Sequence, residues 1–168
     1  MKAITLRQPW ATLVAIGAKE IETRSWRTSY RGPIAIHAGK WWPLRDRGLT
    51  AAPHFFEALC DHYGVTPTPV LEALLDRDCG KVIAIAWLED CMRITVPNLR
   101  PRYDLLDPST LSDRERAFGD YKAGRFAWRL SGPTLLKEPV PARGRLGLWE
   151  WNTLELAAAV LALPTVAR

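Results

Sequence analysis

Cysteine and histidine are scarce in this chain of 168 residues, at three each. Cys60, Cys79 and Cys91 are an odd number without C-x-x-C spacing or a repeated Cys/His pattern, which argues against a disulfide framework or a zinc site. His37, His54 and His62 are too scattered for a metal cluster, although His54 and His62 could share a helical face two turns apart. The expectation is a reduced, cytoplasmic protein that uses neither metal nor cofactor. Long apolar runs are missing as well. The longest one near the end, Leu156 to Leu163, is far below the roughly 18 to 20 residues that cross a bilayer. Lys2 and Arg7 before an apolar stretch from Pro9 to Ala18 imitate a signal peptide, but the Gln8-Pro9-Trp10 opening reads as folded structure. No membrane partner is expected. Repeats, low-complexity tracts and linkers are also lacking, and the length fits one domain.

What the chain does have is positive charge and tryptophan. Its formal net charge is +5, with eight Trp residues, and 48% of the chain is hydrophobic. The first 47 residues carry nine Lys or Arg against three acids, a net +6, while the rest sums to −1. Four of the Trp residues, at positions 10, 26, 41 and 42, stand among those cations. Aromatic faces between guanidinium groups suit single-stranded nucleic acid, through base stacking and phosphate contact. The plainer reading makes the Trp residues core or rim and the charges a solvated face. Arg outnumbers Lys 17 to 6, which favours bidentate phosphate contacts.

The pattern predicts a strand over Ala3–Arg7, then a helix from Gln8-Pro9-Trp10, with Pro9 at the first helical position and Gly17 ending it in a left-handed conformation. Strands follow at Glu20–Trp26 and Pro33–Ala38, joined by a polar turn. Helices fill Trp41 to Arg77, where Phe55, Phe56, Leu59, Cys60 and Tyr63 form one apolar face and Thr68-Pro69 starts a second helix. The continuous apolar run Val82–Leu88 suits a strand buried on both faces. Ser112 to Glu115 is a capping box, and Arg125–Leu130 and Leu146–Trp151 read as the last strands. Trp87, Trp128, Trp149 and Trp151 fall in these strands and are expected to be packed inside. The fold class is α+β: a small mixed β-barrel of about six strands with flanking helices and a helical insertion at about 41–78. Residues 1–152 form the domain and 153–168 a C-terminal helical tail.

The most specific segment is Gly17 to Arg24, of the form G-x-K-x-x-E-x-R. On an ideal strand Glu22 and Arg24 share a face and Lys19 lies on the other, so a common site needs the turn at Gly17 to rotate Lys19 inward. The bland alternative is a Glu22–Arg24 ion pair with Lys19 solvated.

Together with this motif, Gln8-Pro9-Trp10-Ala11, Arg24-Ser25-Trp26, Tyr30-Arg31-Gly32, Ile36-His37-Ala38, Phe126-Ala127-Trp128 and Gly147-Leu148-Trp149 stand in the order seen in one family. Across nearly its whole length the chain resembles the activating-signal-cointegrator homology (ASCH) family, of the PUA-like group of small β-barrels associated with RNA. The resemblance implies an incomplete barrel with a cleft beside the motif that takes a nucleic acid or nucleotide. One similar branch is an amidohydrolase that deacetylates acetylcytidine with Lys, Thr and Glu. Lys19 matches its Lys, but Glu22 stands where that branch has Thr, and a carboxylate replaces the hydroxyl only as a general base for water. Glu115 and Asp120 correspond to its acid only by rough position.

The leading expectation is binding of RNA or single-stranded DNA in a basic cleft formed by Arg7, Lys19, Arg24 and Lys40. Gln8 can read a base edge or cap the helix, and His37 can face the cleft or sit satisfied in the barrel. Trp41 and Trp42, adjacent and followed by Pro43, cannot both be buried by one regular element, so one of them is offered for stacking. The rival is a hydrolase acting on a modified nucleoside, acetylcytidine amidohydrolase-like, or a ribonuclease, with Lys19, Glu22 and Arg24 as catalytic residues. A third class, a protein-interaction module built on the insertion, has no motif behind it.

Overall fold

In the computed structural model, which describes residues 1–65, 68–96 and 102–152, the chain opens with strand β1 (Lys2–Leu6). Helix α1 (Trp10–Ala15) follows. Pro9 is its N-cap rather than its first helical residue, and the Gln8 carboxamide oxygen accepts from Thr12 N–H at 3.2 Å and Thr12 Oγ1 at 3.0 Å. Gly17, at φ 75°, then reverses the chain in a conformation that costs other residues a Cβ clash. Strands β2 (Ile21–Arg24) and β3 (Gly32–Ala38) complete the opening unit.

The insertion is helical, with α2 (Leu44–Arg47), a 3₁₀ turn (Gly48–Ala51), α3 (Pro53–Tyr63) and α4 (Thr68–Asp78). Its apolar side forms a core of its own, in which Trp42, Phe55, Leu59, Leu71 and Leu75 pack with Leu13 of α1 and Phe118. The insertion is thereby fixed to the sheet through α1. Strand β4 (Lys81–Ile94), β5 (Leu105–Leu106), a 3₁₀ turn (Pro108–Thr110), α5 (Asp113–Ala117), β6 (Phe126–Pro141) and β7 (Leu148–Glu150) follow.

The strands form one curled sheet in the order β2-β6-β4-β3-β1-β7, with β5 beside β4. β1 and β3 run parallel, as the intervening crossover through α1 requires, and the other pairs along that path are antiparallel. The α+β half-barrel of six strands, with flanking helices and a helical insertion, is the architecture expected. Its main core lies between the sheet and α1, around Ile4, Leu6, Val14, Ile34, Ile36 and Trp128.

Three local expectations need correction. β4, of 14 residues, and β6, of 16, run well beyond the expected Val82–Leu88 and Arg125–Leu130. β6 continues through Pro133 and Pro139 because β2 pairs only with Phe126–Arg129, so beyond that point its outer edge has no partner strand among the described residues, and β6 bulges against β4. Trp87 is not packed inside but 52% exposed, because the strand is buried on both faces only up to Ala84 and alternates from there. The capping box is half formed: Ser112 Oγ accepts from Glu115 N–H at 3.1 Å, but the Glu115 carboxylate turns away to β2. The tail at 153–168 lies outside the described residues.

Candidate functional site

The period of two along β2 puts Glu22 and Arg24 on one face, where Glu22 Oε1 lies 3.1 Å from Arg24 Nε. Arg24 also donates from Nη2 to the Thr5 carbonyl of β1 at 2.9 Å. That bond ties β2 to the far side of the half-barrel and holds the guanidinium over the gap between them. Arg7, just past the end of β1, reaches the same gap. It ion-pairs with Asp46 of α2 at 2.9 Å, and its guanidinium lies over the rings of Trp10 and Trp41, at 5.6 and 5.5 Å from their centroids.

Thr5, Arg7 and Arg24 form a ridge between two basins, since all three line both. On one side is a cleft of about 550 Å³ with Trp10, Trp26, Phe55 and Phe118 in its walls and Glu22 and Asp120 among its polar groups. Arg125 secures its outer wall, donating to the carbonyls of Asp120 at 3.0 Å and Thr23 at 3.1 Å. On the other side is a groove of about 930 Å³ lined by Arg7, Arg24, Lys40, Arg143 and Arg145, with no carboxylate among its described lining residues. Trp41, 64% exposed, and Leu146, almost fully exposed, stand along it. Lys40, Arg143 and Arg145 make no ion pair among the described residues.

The structure thus brings Arg7, Arg24, Lys40 and Trp41 together and sets other expected residues apart. Lys19 does not line the cleft. It is 1% exposed, its Nζ donates to the Ile21 carbonyl and lies 3.5 Å from Glu115 Oε1, and it stands 5.9 Å from the Tyr121 ring centroid. The turn at Gly17 does rotate Lys19 inward, but toward α5. Glu115 is engaged on all sides, accepting from the backbone N–H of Glu20 at 3.0 Å and Ile21 at 3.3 Å and from Tyr121 Oη at 2.7 Å. Burial and the Glu115 charge push the Tyr121 phenol far above its usual range, as expected of a donor to a carboxylate.

Gln8 is fully buried and caps α1 rather than meeting a base, its Nε2 donating to the Leu75 carbonyl at 3.4 Å. Trp42 is also buried, against the Arg47 guanidinium at 4.2 Å, so Trp41 alone of the pair can stack on a ligand. His37 lies under the groove floor, 1% exposed, with Nε2 3.1 Å from the Ala142 carbonyl. Burial lowers its proton affinity, so the neutral ring donates from Nε2 to Ala142, and Nδ1 has no hydrogen-bond partner among the described residues.

Arg143 and Arg145 are the residues that sequence reasoning missed. They lie in the irregular segment between β6 and β7, about a hundred residues from the basic N-terminal region. Their signal was local: Arg143-Gly144-Arg145 is a basic tract interrupted by Gly.

Among the described residues no group of three His, Cys, Asp or Glu could hold a metal ion, and no helix is long and apolar enough to cross a membrane. The family model for the ASCH domain matches residues 4–96. The solved ASCH structure from Zymomonas mobilis is similar over 97% of this chain and 95% of its own, with 16% identity and a TM-score of 0.51. A point mutant of the same protein aligns over 97% and 98%, with 16% identity and a TM-score of 0.50. At such identity the likeness establishes the fold alone. No curated protein matches the chain in sequence.

Proposed function

The chain belongs to the ASCH domain family, and from that premise we propose that it binds RNA or single-stranded DNA along the groove beside the Arg7–Arg24 ridge. The observation that carries this reading is the sign of the groove: five cationic side chains line it, and no carboxylate is among its described lining residues. A phosphate backbone needs such a track, and most of its affinity comes from neutralised phosphates and released counterions. Trp41 supplies what a strand needs besides charge, an exposed aromatic face within reach of the track. Arg7 packs against Trp41 and limits its freedom, so less order has to be imposed on binding.

Hydrolysis is less well supported. Lys19 and Glu115 are committed to each other outside the cleft, which leaves Glu22, Asp120 and the arginines to carry any chemistry.

The test is fluorescence anisotropy of short labelled single-stranded RNA and DNA at low salt, with product analysis of the same mixtures. Binding without strand cleavage is expected. Absence of binding to both would overturn the reading, and cleavage by purified protein would replace it with the ribonuclease.

A further inference from the structure

We propose that Leu146 is a wedge that enters between two neighbouring bases of the bound strand and breaks their stacking at one fixed point of the groove. This rests on the nucleic-acid reading of the groove.

The way the side chain is held is the first reason. Leu146 lines the groove and is 99% exposed. A single exposed leucine is ordinary on a protein surface. This one projects from a short tract that is pinned at both ends. Before it, the Ala142 N–H donates to the Gly80 carbonyl at 3.0 Å, and His37 Nε2 lies 3.1 Å from the Ala142 carbonyl. After it, the buried Trp149 donates from Nε1 to Thr5 Oγ1 at 3.1 Å. The bend between these anchors presents Leu146 in place, so little ordering is left to be done on binding.

Its neighbours are the second reason. Arg143 and Arg145 stand in the same tract and line the same groove, so phosphates that meet these guanidinium groups bring their bases past Leu146. Leucine has no side-chain donor or acceptor with which to read a base edge. What it gains is escape from water, and the space between two base faces supplies that.

Trp41 is the third. It is 64% exposed on the same groove and offers a flat face to one base. A base taken up on that face turns away from its neighbour in the strand, and an apolar side chain covers the face so exposed. Opening a step costs less in a single strand than in a duplex, where paired bases must also part.

The experiment places one 2-aminopurine at successive positions of a single-stranded oligomer. This base is quenched while stacked and brightens when its stack is broken. With the wild-type protein at least one position is expected to brighten on binding. Leu146→Ala should lose that brightening and bind about tenfold more weakly, the scale of one base contact. Its salt slope should stay that of the wild type, because leucine neutralises no phosphate. Leu146→Met keeps an apolar tip and should keep the brightening. A bound oligomer that brightens nowhere, or brightens equally with Leu146→Ala, would overturn the wedge and leave the groove intact. Failure of every oligomer to bind would overturn the groove reading itself, and this inference with it.

Discussion

The Lys19 ammonium lies 3.5 Å from the Glu115 carboxylate, with exposures of 1% and 11% for the two side chains, and it joins the motif strand β2 to helix α5. The most conspicuous cation of the G-x-K-x-x-E-x-R segment is therefore a tie inside the fold. Removing one partner of a buried pair leaves the other charged and unpaired, which costs about 3 to 5 kcal/mol. Lys19→Ala should lower the urea midpoint accordingly. In the fraction that remains folded, the salt dependence of oligonucleotide binding should match the wild type, because Lys19 touches no groove ligand. A reduced salt slope in a fully stable variant would place Lys19 back at the binding surface.

Trp41 and Trp42 part company in the same way. Trp41→Ala should weaken single-strand binding by about 1 to 3 kcal/mol, the usual worth of one stacked base, with little change in stability. Trp42→Ala opens a cavity in the insertion core and should cost about 3 to 5 kcal/mol of stability. Anisotropy and urea denaturation of both variants check the exchange of roles.

Gly144 fits the floor of the groove only without a side chain. A Cβ there would stand 2.5 Å from His37 Cε1, 2.8 Å from His37 Nδ1 and 2.9 Å from Thr5 Oγ1. Gly144→Ala should destabilise the fold by about 1 to 3 kcal/mol, as overpacking does, and displace Arg143 and Arg145 enough to weaken binding. Denaturation and anisotropy on the same sample test both effects.

His37 makes stability depend on pH. Burial lowers its proton affinity below the ordinary value of 6.5, so the unfolded chain binds a proton that the folded one refuses. Stability should be level above pH 6.5 and fall as the pH drops from there toward the lowered value. His37→Gln should flatten this fall without abolishing it, since burial also lowers the proton affinity of His62. Urea midpoints across that range measure it.

Much of the fold could be read in the sequence because its signals are local. Gly17 ends a helix, Ser112 caps one, and the run from Val82 to Leu88 declares a central strand. The extension of β6 past Pro133 and Pro139 was hidden, since it depends on where the pairing with β2 stops. The site was half visible for a similar reason. Arg7, Arg24, Lys40 and Trp41 are close in sequence as well as in space, while Arg143 and Arg145 come from the opposite end of the chain. The capping-box pattern likewise fixed Ser112 but concealed Glu115, whose carboxylate bonds to the β2 backbone instead of to its own helix.

The central claim, a phosphate track along the groove, is tested most directly by the salt dependence of single-strand binding in the wild type and in an Arg143→Ala/Arg145→Ala double variant. The logarithm of the wild-type affinity should fall linearly with the logarithm of salt, by about 0.7 for each neutralised phosphate. The double variant should bind more weakly and with a slope shallower by up to about 1.4, from the loss of two such contacts. An affinity and slope identical to the wild type would show that the strand does not run through this groove.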